Sequence, residues 1–230
     1  MCGIAGFWDL GKRNENVAQD VAAMTNVLRH RGPDGHGAHV DRQRGLGMGH
    51  TRLSIIDLET GDQPLVSQDG KIVVTGNDEF YDYKRLRAEL ACDGARFATK
   101  SDTEIAIPFY RRDGWEFVHR LRGEFALALF DAERERLVLV RDRFGIKPLY
   151  FRLTNSSIHY GSEVKAILAH PGITGELCPK AAVHQMMQVM APGTTAFKDI
   201  RALKPGHVLI VDRDGDRLTS RQVRYWDLDF

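Results

Sequence analysis

Residues Phe125-Ala126-Leu127-Ala128-Leu129-Phe130-Asp131-Ala132-Glu133-Arg134-Glu135-Arg136-Leu137-Val138-Leu139-Val140 decide how this chain folds. Phe125, Leu127 and Leu129 alternate with small residues, a polar turn covers 131–135, and 137–140 returns as an apolar run, the pattern of an antiparallel hairpin. Working outward, 150–153 and 158–161 form a second hairpin over Asn155-Ser156. Strands at 207–211 and 218–226 flank a turn at 212–216. Upstream, 2–8 reads as a first strand, and 46–56 and 71–75 read as further strands. Val17, Val21, Met24 and Leu28 recur at helical spacing, which predicts an amphipathic helix over 16–30. Arg31-Gly32-Pro33-Asp34-Gly35 stops it. Helices are also expected near 83–94, 102–112, 163–169 and 180–190. Hairpins mixed with helices argue for α+β with antiparallel sheets rather than a doubly wound fold.

The bulk numbers narrow the function classes. The chain has 230 residues, long enough for a large core. A net charge of +1 gives no case for a nucleic-acid or membrane partner. No apolar run reaches the ~20 residues of a spanning helix, and the start lacks the basic and apolar regions of a secretory signal. The three cysteines, Cys2, Cys92 and Cys178, are odd in number and widely spaced. They fit neither a disulfide framework nor a zinc site and suggest a reducing cytoplasm. No metal site is expected.

Cys2 follows the initiator Met1. Trimming Met1 would leave a thiol and a free α-amine on one residue, a nucleophile beside its own base. The plain alternative is a core thiol. Four further segments carry more polar chemistry than packing requires. Arg29-His30-Arg31-Gly32-Pro33-Asp34 either complements a helix dipole or serves a site. In His50-Thr51-Arg52-Leu53-Ser54-Ile55-Ile56-Asp57, a guanidinium inside an apolar run either reaches solvent or meets a carboxylate. Asn77, in Gly76-Asn77-Asp78-Glu79, is a turn residue or a donor to an oxyanion. In Ser101-Asp102-Thr103-Glu104, Asp102 is a helix cap or the partner of a substrate ammonium.

In this order, these segments resemble the glutamine amidotransferase domain of the class II, N-terminal-nucleophile type, and within it the N-terminal half of glutamine-hydrolysing asparagine synthetases. Gln63-Pro64, Gly123-Glu124-Phe125-Ala126, residues 141–150, Ser162-Glu163-Val164-Lys165-Ala166, Lys204-Pro205-Gly206 and Tyr225-Trp226-Asp227 extend the likeness over 2–230. The resemblance implies a four-layer αββα sandwich, two antiparallel sheets between helix layers. It implies hydrolysis of the glutamine side-chain amide by Cys2. Arg52 would clamp the substrate carboxylate, Asp102 would meet its ammonium, and Arg52, Leu53, Ser54, Ile55 and Ile56 would form a binding stretch with Asn77, Asp78 and Glu79. Asn77 would supply one oxyanion donor and the backbone of residue 78 the other.

The family has glycine where this chain has Asp78, and a carboxylate near a forming oxyanion is unfavourable unless it turns away. The alternative is therefore a glutamine-binding or docking module with impaired turnover. No pyrophosphate loop is present, so the chain itself is expected to need no cofactor; ATP and magnesium would belong to an absent synthetase domain or subunit that receives the ammonia. A homodimer is possible. Residues 141–150 are expected to form a structural turn.

Overall fold

A computed structural model describes residues 1–11, 16–54, 57, 60–189 and 191–228. The first strand, β1 (Gly3–Asp9), lies at the centre of one sheet. Helix α1 (Val17–Asn26) follows, then β2 (Gly35–Asp41) and β3 (Leu46–Arg52). Next come β4 (Leu65–Val66), β5 (Ile72–Phe80), α2 (Tyr83–Cys92), a 3-10 turn at Thr103–Ile105, α3 (Ala106–Asp113) and a 3-10 segment at Gly114–Arg120. The chain continues through β6 (Gly123–Asp131), β7 (Arg136–Arg141), β8 (Tyr150–Leu153), β9 (Ser157–Gly161), α4 (Val164–Leu168), α5 (Pro179–Met186), β10 (Ile200–Ala202), β11 (His207–Asp214) and β12 (Arg217–Arg224).

Among the described residues the strands make two six-stranded antiparallel sheets, ordered β10-β8-β9-β1-β3-β2 and β12-β11-β7-β6-β5-β4. Side-chain alternation assembles them into layers. Ile4, Trp8, Leu46 and Met48 of the first sheet meet Val73, Ala126, Ala128 and Phe130 of the second in one buried cluster. Trp8 is fully buried there, edge-on to Phe130 with ring centroids 5.1 Å apart. The opposite face of the first sheet, with Ala5 and Phe7, packs on Val17, Val21 and Met24 of α1 and on Leu28 just after it. The opposite face of the second, with Val74, Phe125, Leu127 and Leu129, packs on α2 and α3 through Leu86, Leu90, Ile107 and Phe109. The result is the expected αββα sandwich. Gly49 permits the first helix layer to seat closely, because a Cβ there would collide with the Thr25 hydroxyl.

Several expected boundaries shift. The strand expected over 71–75 runs on to Phe80, so Asn77 sits inside a strand and not in a turn. The strand expected over 46–56 ends at Arg52, and Ile55 and Ile56 lie outside the described residues. The helix expected over 102–112 begins as a 3-10 turn. The helix expected over 16–30 ends at Asn26. Strand β2 escaped notice because Gly35 and Gly37 break its alternation; Gly37 lies so close to the Gln63 carbonyl that a Cβ would not fit.

Candidate active site

The faces that build the core also build the cleft. On β3, Leu46 and Met48 point between the sheets, so His50 and Arg52 continue that face to the end of the strand. On β1, Cys2 precedes Ile4 on the same face, and Gly3 pairs with Thr51 at the same end. On β5, Val73 points between the sheets, and Thr75, Asn77 and Glu79 follow its alternation. Apolar packing therefore gives way to polar side chains at one end of the sandwich. Cys2, His50, Arg52, Asn77 and Glu79, with Leu53, Gln63, Asp78, Asp102, Thr103 and Lys147, line a cavity of about 330 Å3.

Cys2 is half-buried. The Leu53 N–H donates to its Sγ at 3.4 Å, and the thiol faces the Leu53 carbonyl at 3.7 Å. Burial pushes the thiol's pKa up, while the Leu53 contact and the Arg52 charge pull it down. The net rise means that the thiol needs a base to become a nucleophile. Its carbonyl accepts from Arg31 Nε at 3.0 Å, and Arg31 Nη1 reaches Glu163 at 3.0 Å. His30 Nε2 meets the same Glu163 oxygen at 2.9 Å. Glu163 is held at a pKa of about 2 despite partial burial, because Arg31, His30 and Lys165 all bond it. Asp34 ties down the other side, accepting the Ser54 N–H at 2.8 Å while its own N–H donates to the Arg52 carbonyl at 3.0 Å. The segment at 29–34 thus frames the site, and Ser54 lies outside the cavity lining.

Arg52 is 7% exposed. Its Nη1 meets Asp62 at 2.8 Å, and its Nη2 donates to the Asp57 carbonyl. Asp102 is also buried, accepting the Phe80 N–H at 3.1 Å. A guanidinium and a carboxylate therefore share one cavity, the charge pattern an amino-acid zwitterion requires. Glu79 stands exposed at its rim.

Asn77 is 2% exposed, and its Nδ2 has no hydrogen-bond partner among the described residues. A buried amide donor left unpaired costs about 1–3 kcal/mol, so its orientation calls for a ligand. The second donor follows from strand geometry. Gly76 N–H donates to Gln63 Oε1 at 2.6 Å and Phe80 N–H to Asp102, both away from β6. Opposite Asp78, Phe125 turns both its N–H and its carbonyl toward Asp142. Alternation therefore aims the Asp78 N–H at the same open edge. Asp78 is absent from the positive-φ residues, so no glycine is needed there. Its carboxyl lies on the opposite strand face from Asn77, bonded by the Thr103 hydroxyl at 2.9 Å. The motive for impaired turnover is weakened accordingly.

Sequence reading assigned no role to His50, Gln63, Thr103 or Lys147. His50 could have been read from its i, i+2 relation to Arg52; its Nε2–H donates to the Gly76 carbonyl at 3.1 Å, and burial lowers its pKa to about 4. Lys147 arrives through the turn at 141–150. The buried Asp142 carboxylate accepts backbone N–H bonds from Phe125, Phe144, Ile146 and Lys147 at 2.9–3.3 Å. Arg141 donates to the carbonyls of Gly145, Lys147 and Leu203 at 2.7–3.0 Å. The ammonium of Lys147 then meets Glu124 at 2.9 Å.

A sequence profile described as a glutamine amidotransferase domain matches residues 1–226. The chain belongs to the class II glutamine amidotransferase family. This amidotransferase domain is 35% identical to asparagine synthetase [glutamine-hydrolyzing] 3 of Bacillus subtilis, over 100% of its own length and 37% of the relative's. It is 37% identical to the amidase chry2 of Gibberella zeae, over 100% of its own length and 35% of the relative's. The domain thus spans about a third of the curated relatives it matches. Its fold is shared with the glutamine phosphoribosylpyrophosphate amidotransferase of B. subtilis at a TM-score of 0.69 and 19% identity, over 98% of this chain and 49% of that one. Among the described residues, no helix is long and apolar enough to cross a membrane, and no group of three or more His, Cys, Asp or Glu is arranged to hold a metal.

Proposed function

We propose that this chain hydrolyses the side-chain amide of glutamine to glutamate and ammonia. Removal of Met1, which is 55% exposed, frees the Cys2 α-amine. That amine takes the thiol proton as sulfur attacks the amide carbon. The oxygen's negative charge is met by Asn77 Nδ2 and the Asp78 N–H. Collapse breaks the C–N bond, the α-ammonium returns its proton to the departing nitrogen, and ammonia leaves a Cys2 thioester. Water attacks the thioester, gives a proton back to sulfur and releases glutamate.

Arg52 receives the substrate carboxylate and Asp102 its ammonium. Leu53 supplies backbone contacts to the sulfur, and Glu79 closes the rim. The observation that carries this reading is the unpartnered Asn77 amide in the cavity that also holds Cys2. Relatives about three times as long, named as asparagine synthetases, support ammonia delivery to an ATP- and magnesium-dependent synthetase domain or subunit.

The test compares glutamate release by Met1-trimmed protein and by a Cys2→Ala variant, with the N-terminus checked by intact mass. Release from the trimmed protein alone is expected. Equal release from both ends the proposal.

A further inference from the structure

The cleft holds two carboxyls against one wall. Asp102 accepts the Phe80 N–H at the free edge of β5, and Asp78 stands two residues earlier on that strand. Thr103, the residue after Asp102, gives its hydroxyl proton to Asp78, with oxygens at 2.9 and 3.2 Å. That hydroxyl is itself fixed. Gln63 Nε2 donates to it at 3.1 Å, while Gln63 Oε1 accepts from Gly76 N–H. Donation from Gln63 occupies a lone pair of the Thr103 oxygen, so its proton is directed to Asp78. The chain Gly76–Gln63–Thr103–Asp78 thus anchors a carboxyl in the cavity wall.

The groups facing Asp78 leave it short of positive charge. Asp102 adds negative charge from its own edge, itself facing Glu79, while Lys147 offsets only part of it. From the turn at 141–150, Lys147 is ion-paired with Glu124 of β6 at 2.9 Å. From β3, Arg52 is paired with Asp62 at 2.8 Å, and His50, with a pKa of about 4, is neutral at pH 7. The Cys2 thiol is neutral as well. Burial and the neighbouring Asp102 charge push the Asp78 carboxyl well above the usual carboxylate range, and burial raises Asp102 too. Two buried polar atoms in the same cavity, Asn77 Nδ2 and His50 Nδ1, lack partners among the described residues, on side chains 2% and 1% exposed. The cavity therefore offers polar atoms suited to a polar ligand.

We propose that Asp78 and Asp102 form a two-carboxyl seat for the substrate α-ammonium, carrying one proton as a pair when empty and releasing it to solvent as the ammonium enters. This rests on the reading that glutamine occupies the cleft. Charge balances, since one proton leaves as one cation arrives. Affinity for the α-amino substrate then rises with pH while the empty pair still holds its proton, by up to about tenfold per unit. A substrate whose α-nitrogen is acylated, and so uncharged, gains nothing from the seat.

The test is calorimetric titration of L-glutamine into the full chain carrying Cys2→Ala, so that no turnover intervenes. Runs in phosphate and in Tris at pH 7 count protons released, and runs at pH 6 and 8 give the affinity change. The same measurements are made with Asp78→Asn and Asp78→Gly added, each checked for folding by circular dichroism. The parent is expected to release a proton count approaching one and to tighten severalfold or more between pH 6 and 8. Both Asp78 variants are expected to release close to none and to lose that dependence. If either folded variant releases as many protons as the parent, or if the parent binds without release, the two-carboxyl seat is overturned while glutamine recognition stands. If no folded protein binds glutamine, the reading of the cleft falls and the seat falls with it.

Discussion

Asn77→Ala separates function from folding. Asn77 is buried on the inner face of β5, and its Nδ2 donates to nothing among the described residues. Losing one preorganised oxyanion donor typically lowers kcat by about 10²–10³, equivalent to about 2.7–4 kcal/mol at the transition state. The same substitution removes an unpaired buried donor whose desolvation penalty is about 1–3 kcal/mol. It also deletes the amide's packing contacts, a loss of the same order. The two folding effects oppose each other, so net stability is expected to move by no more than about 1 kcal/mol. Steady-state glutamate release gives the first number, and urea unfolding followed by tryptophan fluorescence gives the second. A folded Asn77→Ala protein with kcat within threefold of the parent would refute the assigned donor. A loss of stability above about 3 kcal/mol would show that the amide is structural.

Four other outcomes follow from the geometry. Glu163→Gln removes the anion that holds Arg31 and His30, and Arg31 in turn holds the Cys2 carbonyl; kcat should fall while KM for glutamine changes little, as kinetics on the trimmed protein will read. Glu163 also sets an acid limit. Its pKa is depressed to about 2, so its stabilising contribution is full above the unfolded value near 4.5 and is lost as pH drops toward 2; the Gln variant should lack that part of the acid transition. His50 acts at higher pH, because the unfolded chain binds the imidazole proton near 6.5 and the folded chain only near 4. Stability should therefore fall from pH 6.5 to 4, by up to about 3 kcal/mol, and a His50→Gln variant that keeps the whole slope in urea titrations would contradict this. Finally, Asp142→Ala strands four backbone N–H groups. It should destabilise the fold by at least about 3 kcal/mol, read as a lowered Tm.

The hairpin at 125–140 was legible because alternation has a period of two, and partners only five to fifteen residues apart complete it without distant help. The helix carrying Val17, Val21 and Met24 was legible for the same local reason. Cys2, Arg52, Asn77 and Asp102 were legible as residue types that packing does not need, in an order that matches a family. What a linear pattern could not supply is convergence. Strand β2 needed the close approach of Gly37 to the Gln63 backbone, and Lys147 entered the cleft only because Asp142 gathers four distant or neighbouring N–H groups around one carboxylate.

The amino-acid order by itself determined the hairpins and the antiparallel α+β class, and the kind of head group the charged residues suit, while the two-sheet sandwich came from likeness to a family. Tertiary structure decided that the inward faces of β1, β3 and β5 run out of apolar residues at the same end, so that a thiol, a guanidinium, an unpaired amide and two carboxyls share one cavity. It also decided the direction of the Asp78 N–H, because that depends on which edge of β5 remains unpaired. Face alternation is set by neighbours in the chain, whereas charge proximity and free strand edges are set by elements that meet only after the sheets stack.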